Sequence, residues 1–352
     1  MKKEKSIEAT ILKAMLAIHI LMAFILAGLN FGSAEQAPVH IATLIKTAWH
    51  FYENELKTLF IALGGYLTIR LIARNSRTTM RKRNLIGFLI VALAVHIVGP
   101  YLLNYPDLYY FATPLPWTNR PLQLLVAGSE FNISFLASPG IRIFNAVLIF
   151  YFTITAVVLI GTIIKGRRWQ CSTLCLFSGF VSEVFSPVFP LIGKKKKINS
   201  QMIRFSLVLR WGFFSVAIMF SGFWLLQIAG VTQFGNLALI TQLETYKYLL
   251  FDLIAALLIW AFFTGRGYCF YCPLGTVTAL LGWAAGQQIK TDLTECIKCS
   301  KCNQVCPMAI DILSCAREAK PVINLNCVGC GHCVDSCPQE TLAYVTKLTP
   351  VK

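Results

Sequence analysis

Six apolar runs separated by polar segments fill the chain up to residue 264, and this alternation predicts a bundle of membrane-spanning helices. The runs cover residues 14–33, 58–73, 84–103, 141–164, 208–230 and 248–264. A helix needs about 20 apolar residues to cross the hydrocarbon of a bilayer. The second and sixth runs are shorter, so flanking residues or a snorkelling side chain such as Arg70 must complete those two crossings.

The pattern changes after residue 290, where the apolar runs stop and a short polar segment begins. Such a segment cannot build a large apolar core of its own. We therefore predict an α-helical polytopic membrane protein of about six spans, with a small C-terminal α+β domain. The predicted divisions are 1–83 for an N-terminal transmembrane hairpin, 84–290 for a transmembrane core with two further hairpins, and 291–345 for the C-terminal domain.

Composition supports the membrane assignment, because 56% of the 352 residues are hydrophobic and only 14% are charged. The formal net charge is +16, and residues 291–352 hold equal numbers of basic and acidic side chains, so the excess belongs to residues 1–290. The basic residues cluster at the ends of apolar runs, in 70–84, 165–169 and 193–197, and they do not cluster in 34–57, 104–140 or 231–247. The positive-inside rule therefore predicts a multi-pass protein of the cytoplasmic membrane with both termini in the cytoplasm, and nucleic acid is excluded as a partner.

The first apolar run follows Lys2, Lys3 and Lys5, as a signal peptide would. We favour an uncleaved span, and the rest of the topology is the same for either reading. On the opposite side of the predicted bundle, aromatic residues and prolines crowd residues 101–119. Such a segment is typical of the outer membrane interface, in contact with lipid headgroups.

Two cysteine runs in the C-terminal segment share one spacing. They read ECIKCSKCNQVCP (295–307) and NCVGCGHCVDSCP (326–338), and each is Cys-x2-Cys-x2-Cys-x3-Cys-Pro. This doubled run is the pattern of bacterial ferredoxins with two [4Fe-4S] clusters, in which the fourth cysteine of each run ligates the cluster of the other run. The predicted ligands are Cys296, Cys299, Cys302 and Cys337 for one cluster, and Cys327, Cys330, Cys333 and Cys306 for the other.

Two zinc knuckles explain these runs less well, because structural zinc sites use four thiolates in two pairs and have no need of two interleaved runs. Two clusters would also cross-link a segment whose apolar core is too small to hold it together. Cys315 lies between the runs and is predicted to be a packed thiol that binds no metal.

Four further cysteines end the last two predicted hairpins, in GRRWQCSTLC (166–175) and GRGYCFYC (265–272). The topology places both pairs at the cytoplasmic side, where Cys171, Cys175, Cys269 and Cys272 can meet. Three interpretations stay open from the residues alone: a third iron–sulfur centre shared by both pairs, a dithiol or disulfide, or cysteines that only shape the two turns.

The intramembrane polar residues give weaker indications. A bis-histidine haem needs two ligands at similar depth, but His19 is predicted in the inner half of the first span and His96 in the outer half of the third. Asp252 is predicted near the outer end of the sixth span, where it either snorkels to the surface or serves a quinone or proton site.

These features together resemble the NapH and NosR type of membrane 4Fe-4S protein, over residues 84–345. The resemblance implies an electron conduit tied to the quinone pool, such as the quinol dehydrogenase components of respiratory nitrate or nitrous oxide systems. The paired membrane motifs of that family read Cys-x3-Cys-Pro. Here Leu176 follows the first pair instead of proline, and only two residues separate Cys269 from Cys272.

The favoured function is integral membrane electron transfer, between a soluble cytoplasmic redox protein or oxidoreductase subunit and either quinone or an extracytoplasmic redox protein. A membrane redox factor for maturation or regulation of a metalloenzyme is the alternative. A transporter fits poorly, because no span is clearly broken and charged residues are scarce at mid-membrane.

Overall fold

A computed structural model describes residues 6–32, 37–137, 142–193, 200–231, 236–291, 296–318 and 320–349. The lysines that precede the first span and the lysine run 194–197 lie outside these ranges. The lysine run is one of the three basic clusters behind the predicted orientation, and the cytoplasmic location of both termini stays a prediction.

Six helices among the described residues are long and apolar enough to cross a membrane, which confirms the predicted fold class. Spans one to six are, in order, Ile7–Gly32, Val39–Ala73, Thr79–Leu103, Phe144–Lys165, Arg204–Ile228 and Leu237–Phe262. The helix of span five itself begins at Ser200. The bundle is therefore an up-and-down arrangement in which the ends of neighbouring spans alternate between its two faces.

The largest differences from the predicted span boundaries are at the starts of spans two and six. These spans begin well before residues 58 and 248. In span two, the early start places Glu53 and Lys57 inside the helix, where they form an i,i+4 ion pair. Each charge compensates the other, so the helix continues through residues at which a hydropathy pattern stops. Most of the segments 34–57 and 231–247, predicted as outer loops, are therefore parts of spans.

Spans two, three and six each contain a π-helical segment, at Tyr52–Leu56, Leu93–Val98 and Tyr248–Ile254. A fourth π-helical turn, Gln170–Leu174, carries the first membrane cysteine. Such segments are rare and often mark functional sites, because the extra residue per turn redirects the side chains around it. All four contribute residues to the wall of one cavity, which lies between spans one, two, three and six.

The connections after spans four and six fold back against the bundle. The first contains the helices Ser178–Val184 and Ser186–Val188, and its Thr173 packs directly on Gly87 of span three. The second contains the short helix Gly267–Phe270 and the apolar helix Pro273–Ala284. Both cysteine pairs are thus held inside the end of the bundle by rigid elements. At the other face, the loop after span three contains the helices Leu108–Phe111, Arg120–Leu125 and Glu130–Ala137.

The C-terminal segment is small and combines two strands with three short helices. Strand β1 (Gln288–Thr291) pairs antiparallel with β2 (Leu342–Val345), and Ile289 bridges to Val322. The helices are Lys301–Val305, Ile312–Arg317 and His332–Asp335. Strands and helices enclose a core that also includes residues of both membrane cysteine pairs, so the segment is packed onto the bundle.

Hydrogen bonds hold the C-terminal segment against the ends of spans three and four. The Asp335 carboxylate accepts from the backbone N–H of Met80 and of Arg81, both at 3.1 Å. The Tyr344 hydroxyl donates to the carbonyl of Lys165 at 2.8 Å. Met80 and Arg81 lie at the start of span three and Lys165 lies at the end of span four, so these residues are on the same face of the bundle. The C-terminal segment covers this face.

Candidate metal centres

Twelve cysteines line three separate cavities, four in each. Two of these sets group the cysteines of the C-terminal runs as the ferredoxin pattern predicts, and the third contains the two membrane pairs; that they bind clusters stays a prediction. The exposed thiol site consists of Cys296, Cys299, Cys302 and Cys337, and the buried thiol site of Cys306, Cys327, Cys330 and Cys333. The membrane thiol site consists of Cys171, Cys175, Cys269 and Cys272. The first two cavities each measure about 390 Å³ when the solvent at their openings is counted. Cys315 lines none of the three.

The spacing of the thiols favours polynuclear metal clusters over single ions. A tetrahedral zinc site with Zn–S bonds of about 2.3 Å brings its sulfurs within about 4 Å of one another. Among the described residues, the one group of three metal-binding atoms within 4.8 Å of each other is Glu183, Cys330 and His332, and it contains a single thiol. Four thiols that line one cavity without three of them lying within 4.8 Å of one another fit the larger body of an iron–sulfur cluster.

The two sites of the C-terminal segment differ in their access to solvent. Cys299 is exposed, as are its neighbours Ile297 and Lys298. Cys330 and Cys333 are only 8% and 7% exposed, because the end of the bundle covers them. Burial raises the pKa of Cys330 to about 12. That thiol is therefore neutral at physiological pH until a metal displaces its proton.

Two buried arginines from the repeated Gly-Arg motifs cross over the membrane thiol site. Arg167 donates to Sγ of Cys171 at 3.4 Å and to the carbonyl of Cys269 at 2.9 Å. Arg266 makes the reciprocal pair of contacts, with Sγ of Cys269 at 4.0 Å and the carbonyl of Cys171 at 2.5 Å. Each arginine thus contacts the thiol of its own motif and the backbone of the other motif. The two similar motifs, residues 166–175 and 265–272, therefore form one site.

The membrane thiol site holds more buried positive charge than the described side chains neutralise. Arg167, Arg210 and Arg266 are at most 2% exposed. In the described part of the chain, Glu183 is the carboxylate that pairs with any of them, at 2.7 Å from Arg266. Nη2 of Arg210 and Nε of Arg266 have no hydrogen-bond partner among the residues that the structure describes. Uncompensated buried charge is costly, so an anionic group such as a cluster held by four thiolates fits this site.

Direct contacts join the membrane thiol site to the buried thiol site. The Ser172 hydroxyl, next to Cys171, donates to the carbonyl of Val328 at 2.8 Å. Glu183 accepts from Arg266 on one side and lies 3.0 Å from Nε2 of His332 on the other. His332 stands between two cysteines of the buried thiol site, so a single buried ion network connects both sites.

Comparison with known proteins agrees with this geometry, because residues 288–338 match the family model described as a 4Fe-4S dicluster domain. The chain is an iron–sulfur electron-transfer protein of the membrane. Its C-terminal segment is a ferredoxin domain, in which cysteines hold iron–sulfur clusters.

Three relatives share parts of the chain. RdxA of Cereibacter sphaeroides is 25% identical over 289 residues, which cover 71% of this chain and 55% of RdxA. YccM of Escherichia coli, whose name assigns it to electron transport, is 31% identical over 26% of this chain and 25% of its own length. The ferredoxin-type protein NapH of Haemophilus influenzae is 30% identical over 28% of this chain and 33% of its own length. No solved structure matches the chain.

The cavity of the membrane thiol site continues into the bundle, away from the ferredoxin domain. It encloses about 1180 Å³, counting its open mouth, and its wall is largely aromatic and apolar. Tyr110, Ala112 and Thr113, from the loop after span three, also line it and are partly exposed. The cavity therefore extends from the thiols to the loop after span three.

Asp252 lies in the π-helical segment of span six and is 1% exposed. Its carboxylate is 2.8 Å from Nζ of Lys247 and accepts from the Tyr268 hydroxyl at 2.8 Å. Tyr268 lines the cavity beside Cys269, whereas Asp252 stands behind it. The alternative in which Asp252 snorkels to the surface is therefore wrong, because the helix begins earlier than predicted and places this residue in its interior.

Sequence reasoning missed the polar end of the cavity, where spans one, two and three meet. Nδ1 of His19 is 3.3 Å from the Tyr52 hydroxyl, and Nδ1 of His96 contacts the backbone carbonyl of Glu53. Both histidines therefore contact consecutive residues of one π-helical segment, and their different depths in the bundle stay a prediction. The acid and base four residues apart in YENELK were the available signal for a buried pair in this span.

Proposed function

We propose that this protein carries single electrons between a soluble cytoplasmic redox protein and the quinone pool of the membrane, through three iron–sulfur centres. Iron–sulfur clusters, when bound, accept and donate one electron at potentials set by charge, hydrogen bonds and burial. The observation that supports this role most directly is the order of the three four-thiol sites. They follow one another from the exposed surface of the ferredoxin domain, through its buried side, to the cavity inside the bundle.

The protein environment of each site suits its place in that order. Exposed Ile297, Lys298 and Cys299 offer a surface on which a soluble partner can dock close to the exposed thiol site. At the membrane thiol site, the guanidinium groups of Arg167 and Arg266 stabilise added negative charge. Electrons would therefore be favoured at the site closest to the membrane cavity.

The same proposal orients the protein and gives Asp252 a role. Arg77 and Arg168 lie at the end of the bundle that contacts the ferredoxin domain, as the positive-inside rule expects for a cytoplasmic face. We therefore place the ferredoxin domain and both termini in the cytoplasm. Asp252, held by Lys247 and bonded to a cavity-lining tyrosine, is suited to take up or release a proton when a quinone in the cavity changes redox state.

Iron and sulfide analysis with low-temperature EPR tests the number of centres and their link to quinol. We expect about twelve iron atoms per chain in the anaerobically purified protein, and reduction of the EPR-active centres by an added quinol. Cys171→Ser and Cys272→Ser should each lower the count to about eight, because each removes a ligand of the membrane thiol site. Cys315→Ser is the matched control and should leave the count unchanged.

Two results would contradict different parts of the proposal. A count of about eight iron atoms that Cys171→Ser does not change would leave the membrane thiol site without a cluster. A full count with centres that no quinol reduces would leave the iron–sulfur assignment intact and remove the link to the quinone pool.

A further inference from the structure

We propose that the headgroup of a hydroquinone binds at the polar end of the membrane cavity, where its hydroxyl donates a hydrogen bond to Nε2 of His96. The inference rests on the proposed link to the quinone pool and names the residue and the end of the cavity that would serve it.

The tautomer of His96 follows from its hydrogen bond. Nδ1 contacts the backbone carbonyl of Glu53, and a carbonyl oxygen can only accept, so the ring carries its hydrogen on Nδ1. In the neutral imidazole, Nε2 then presents a lone pair. The hydrogen bond to Glu53 uses Nδ1 and not Nε2, and the residue lines the cavity. A ligand with a hydroxyl hydrogen complements this atom.

His19 lines the same cavity but is not available in the same way. Five rings surround it, those of Tyr52, Phe60, Phe180, Phe185 and Trp260, with centroids 5.5 to 6.3 Å from its own. Among the described residues, the ring that packs on His96 is that of Tyr109, at 6.3 Å. A porphyrin ligated by both histidines would need open space beside each imidazole, and the five rings around His19 crowd it far more than the one ring beside His96. The geometry therefore favours a ligand that contacts His96 alone.

The position of His96 suits a ligand that exchanges electrons with the membrane thiol site. The segment that carries Cys171 and Cys175 reaches span three at Gly87, through Thr173. His96 lies nine positions later in the same span, about 13 Å along a helix that rises 1.5 Å per residue. The aromatic wall between these two levels is suited to a flat ring.

The charged pair next to His96 explains why the headgroup would stop there. Lys57 and Glu53 are buried and bonded to each other in span two, and both line this end of the cavity. An aromatic ring with hydroxyl groups can meet these polar atoms at one edge and the apolar wall with its faces, whereas a purely hydrocarbon chain cannot. Hydroquinones are the redox-active class of membrane molecule with this combination.

Binding of a fluorescent heptyl-hydroxyquinoline N-oxide, a hydroquinone analogue, tests the assignment in purified protein with its iron bound. We expect His96→Leu to weaken binding about tenfold, because it removes the hydrogen-bond acceptor. His96→Gln, whose amide oxygen can also accept, should restore most of the affinity. His40→Leu is the matched control, since His40 is exposed and lies outside the cavity, and it should bind like the wild type.

Ala112→Phe provides a second test that leaves His96 in place. Ala112 lines the cavity, so the larger side chain should occupy the space of the ligand and abolish binding. Wild-type binding that His96→Leu leaves unchanged would overturn the assignment of this residue without affecting the proposed function. A wild-type protein with its full iron content that does not bind the analogue would instead remove the quinone link itself. A haem Soret band that disappears in His96→Leu would overturn the proposal in favour of haem.

Discussion

The exposed and buried thiol sites are built from loops with the same backbone path and different side chains. The first run reads Cys-Ile-Lys-Cys-Ser-Lys-Cys and the second Cys-Val-Gly-Cys-Gly-His-Cys. Lys298 and Ser300 have φ angles of 56° and 60°, and Gly329 and Gly331, at the equivalent positions, have 64° and 77°. This left-handed region favours glycine, but the first run adopts it with lysine and serine. Backbone conformation therefore does not by itself explain the two glycines.

The surroundings explain them. A Cβ at Gly331 would lie 2.7 Å from Cβ of Met80, and one at Gly329 would lie 2.7 Å from Cβ of Arg168. Both neighbours belong to the end of the membrane bundle, whereas Lys298 is exposed. The cysteine spacing thus determines the course of each loop and its ligands, and contact with the bundle determines which loop is buried. We call residues 296–302 the free loop and residues 327–333, which pack against the bundle, the docked loop.

The largest expected effect comes from the ion network on the docked side. Glu183→Ala would leave the buried guanidinium of Arg266 without its carboxylate and should destabilise the protein by about 3 to 5 kcal/mol. The expected observation is a lower midpoint of thermal unfolding in detergent, together with faster proteolysis of the ferredoxin domain.

Glu340→Ala is the matched control at an exposed ion pair between the ferredoxin domain and the end of the bundle. Glu340 pairs with Arg77 at 2.6 Å, but its side chain is 65% exposed. Such surface pairs contribute about 0 to 1 kcal/mol, so the midpoint should hardly change. Equal shifts in the two variants would show that the buried ion network contributes no more to stability than the exposed pair.

The contrast between the two loops also separates what the sequence could predict from what it could not. Three of the four cysteines around each cavity of the ferredoxin domain lie within one short run, so the spacing along the chain predicts that they lie together. The length of span two is not local information, because the helix passes through Glu53 and Lys57 only when these charges meet each other. The reciprocal contacts of Arg167 and Arg266 likewise join two hairpins that are far apart in the sequence. Neither hairpin's sequence alone predicts that the two come together.

An intermediate effect is expected when the docked loop receives a side chain of the free loop. Gly331→Ser copies the residue at position 300, but its Cβ would press against Met80. Overpacking of this kind costs about 1 to 3 kcal/mol. Iron should therefore be lost to a chelator faster from the buried thiol site, measured as the decay of its EPR signal.

The reverse exchange is the control for this prediction. Ser300→Gly in the free loop meets no such neighbour and should change stability by no more than about 0.5 kcal/mol. If Gly331→Ser kept its iron as long as Ser300→Gly did, the approach of the bundle would not be the reason for glycine at position 331.

The smallest expected difference concerns two aspartates that cap helices, one on each side of the comparison. Thr78, the residue before span three, makes no side-chain cap, and the Asp335 carboxylate accepts the N–H groups of Met80 and Arg81 instead. Asp311 caps its own short helix through the N–H of Ser314 at 3.1 Å. Loss of such a cap costs about 0.5 to 2 kcal/mol, so Asp335→Ala and Asp311→Ala should lower overall stability by similar amounts.

The two aspartate variants should nevertheless differ in where the damage appears, because Asp335 joins the ferredoxin domain to the bundle and Asp311 acts within the domain. Hydrogen exchange followed by mass spectrometry measures this. Asp335→Ala should speed exchange at the first turn of span three and around the buried thiol site, whereas Asp311→Ala should affect only residues near 312–317. Faster exchange at the start of span three in both variants would mean that the free side of the domain also controls its attachment to the membrane bundle.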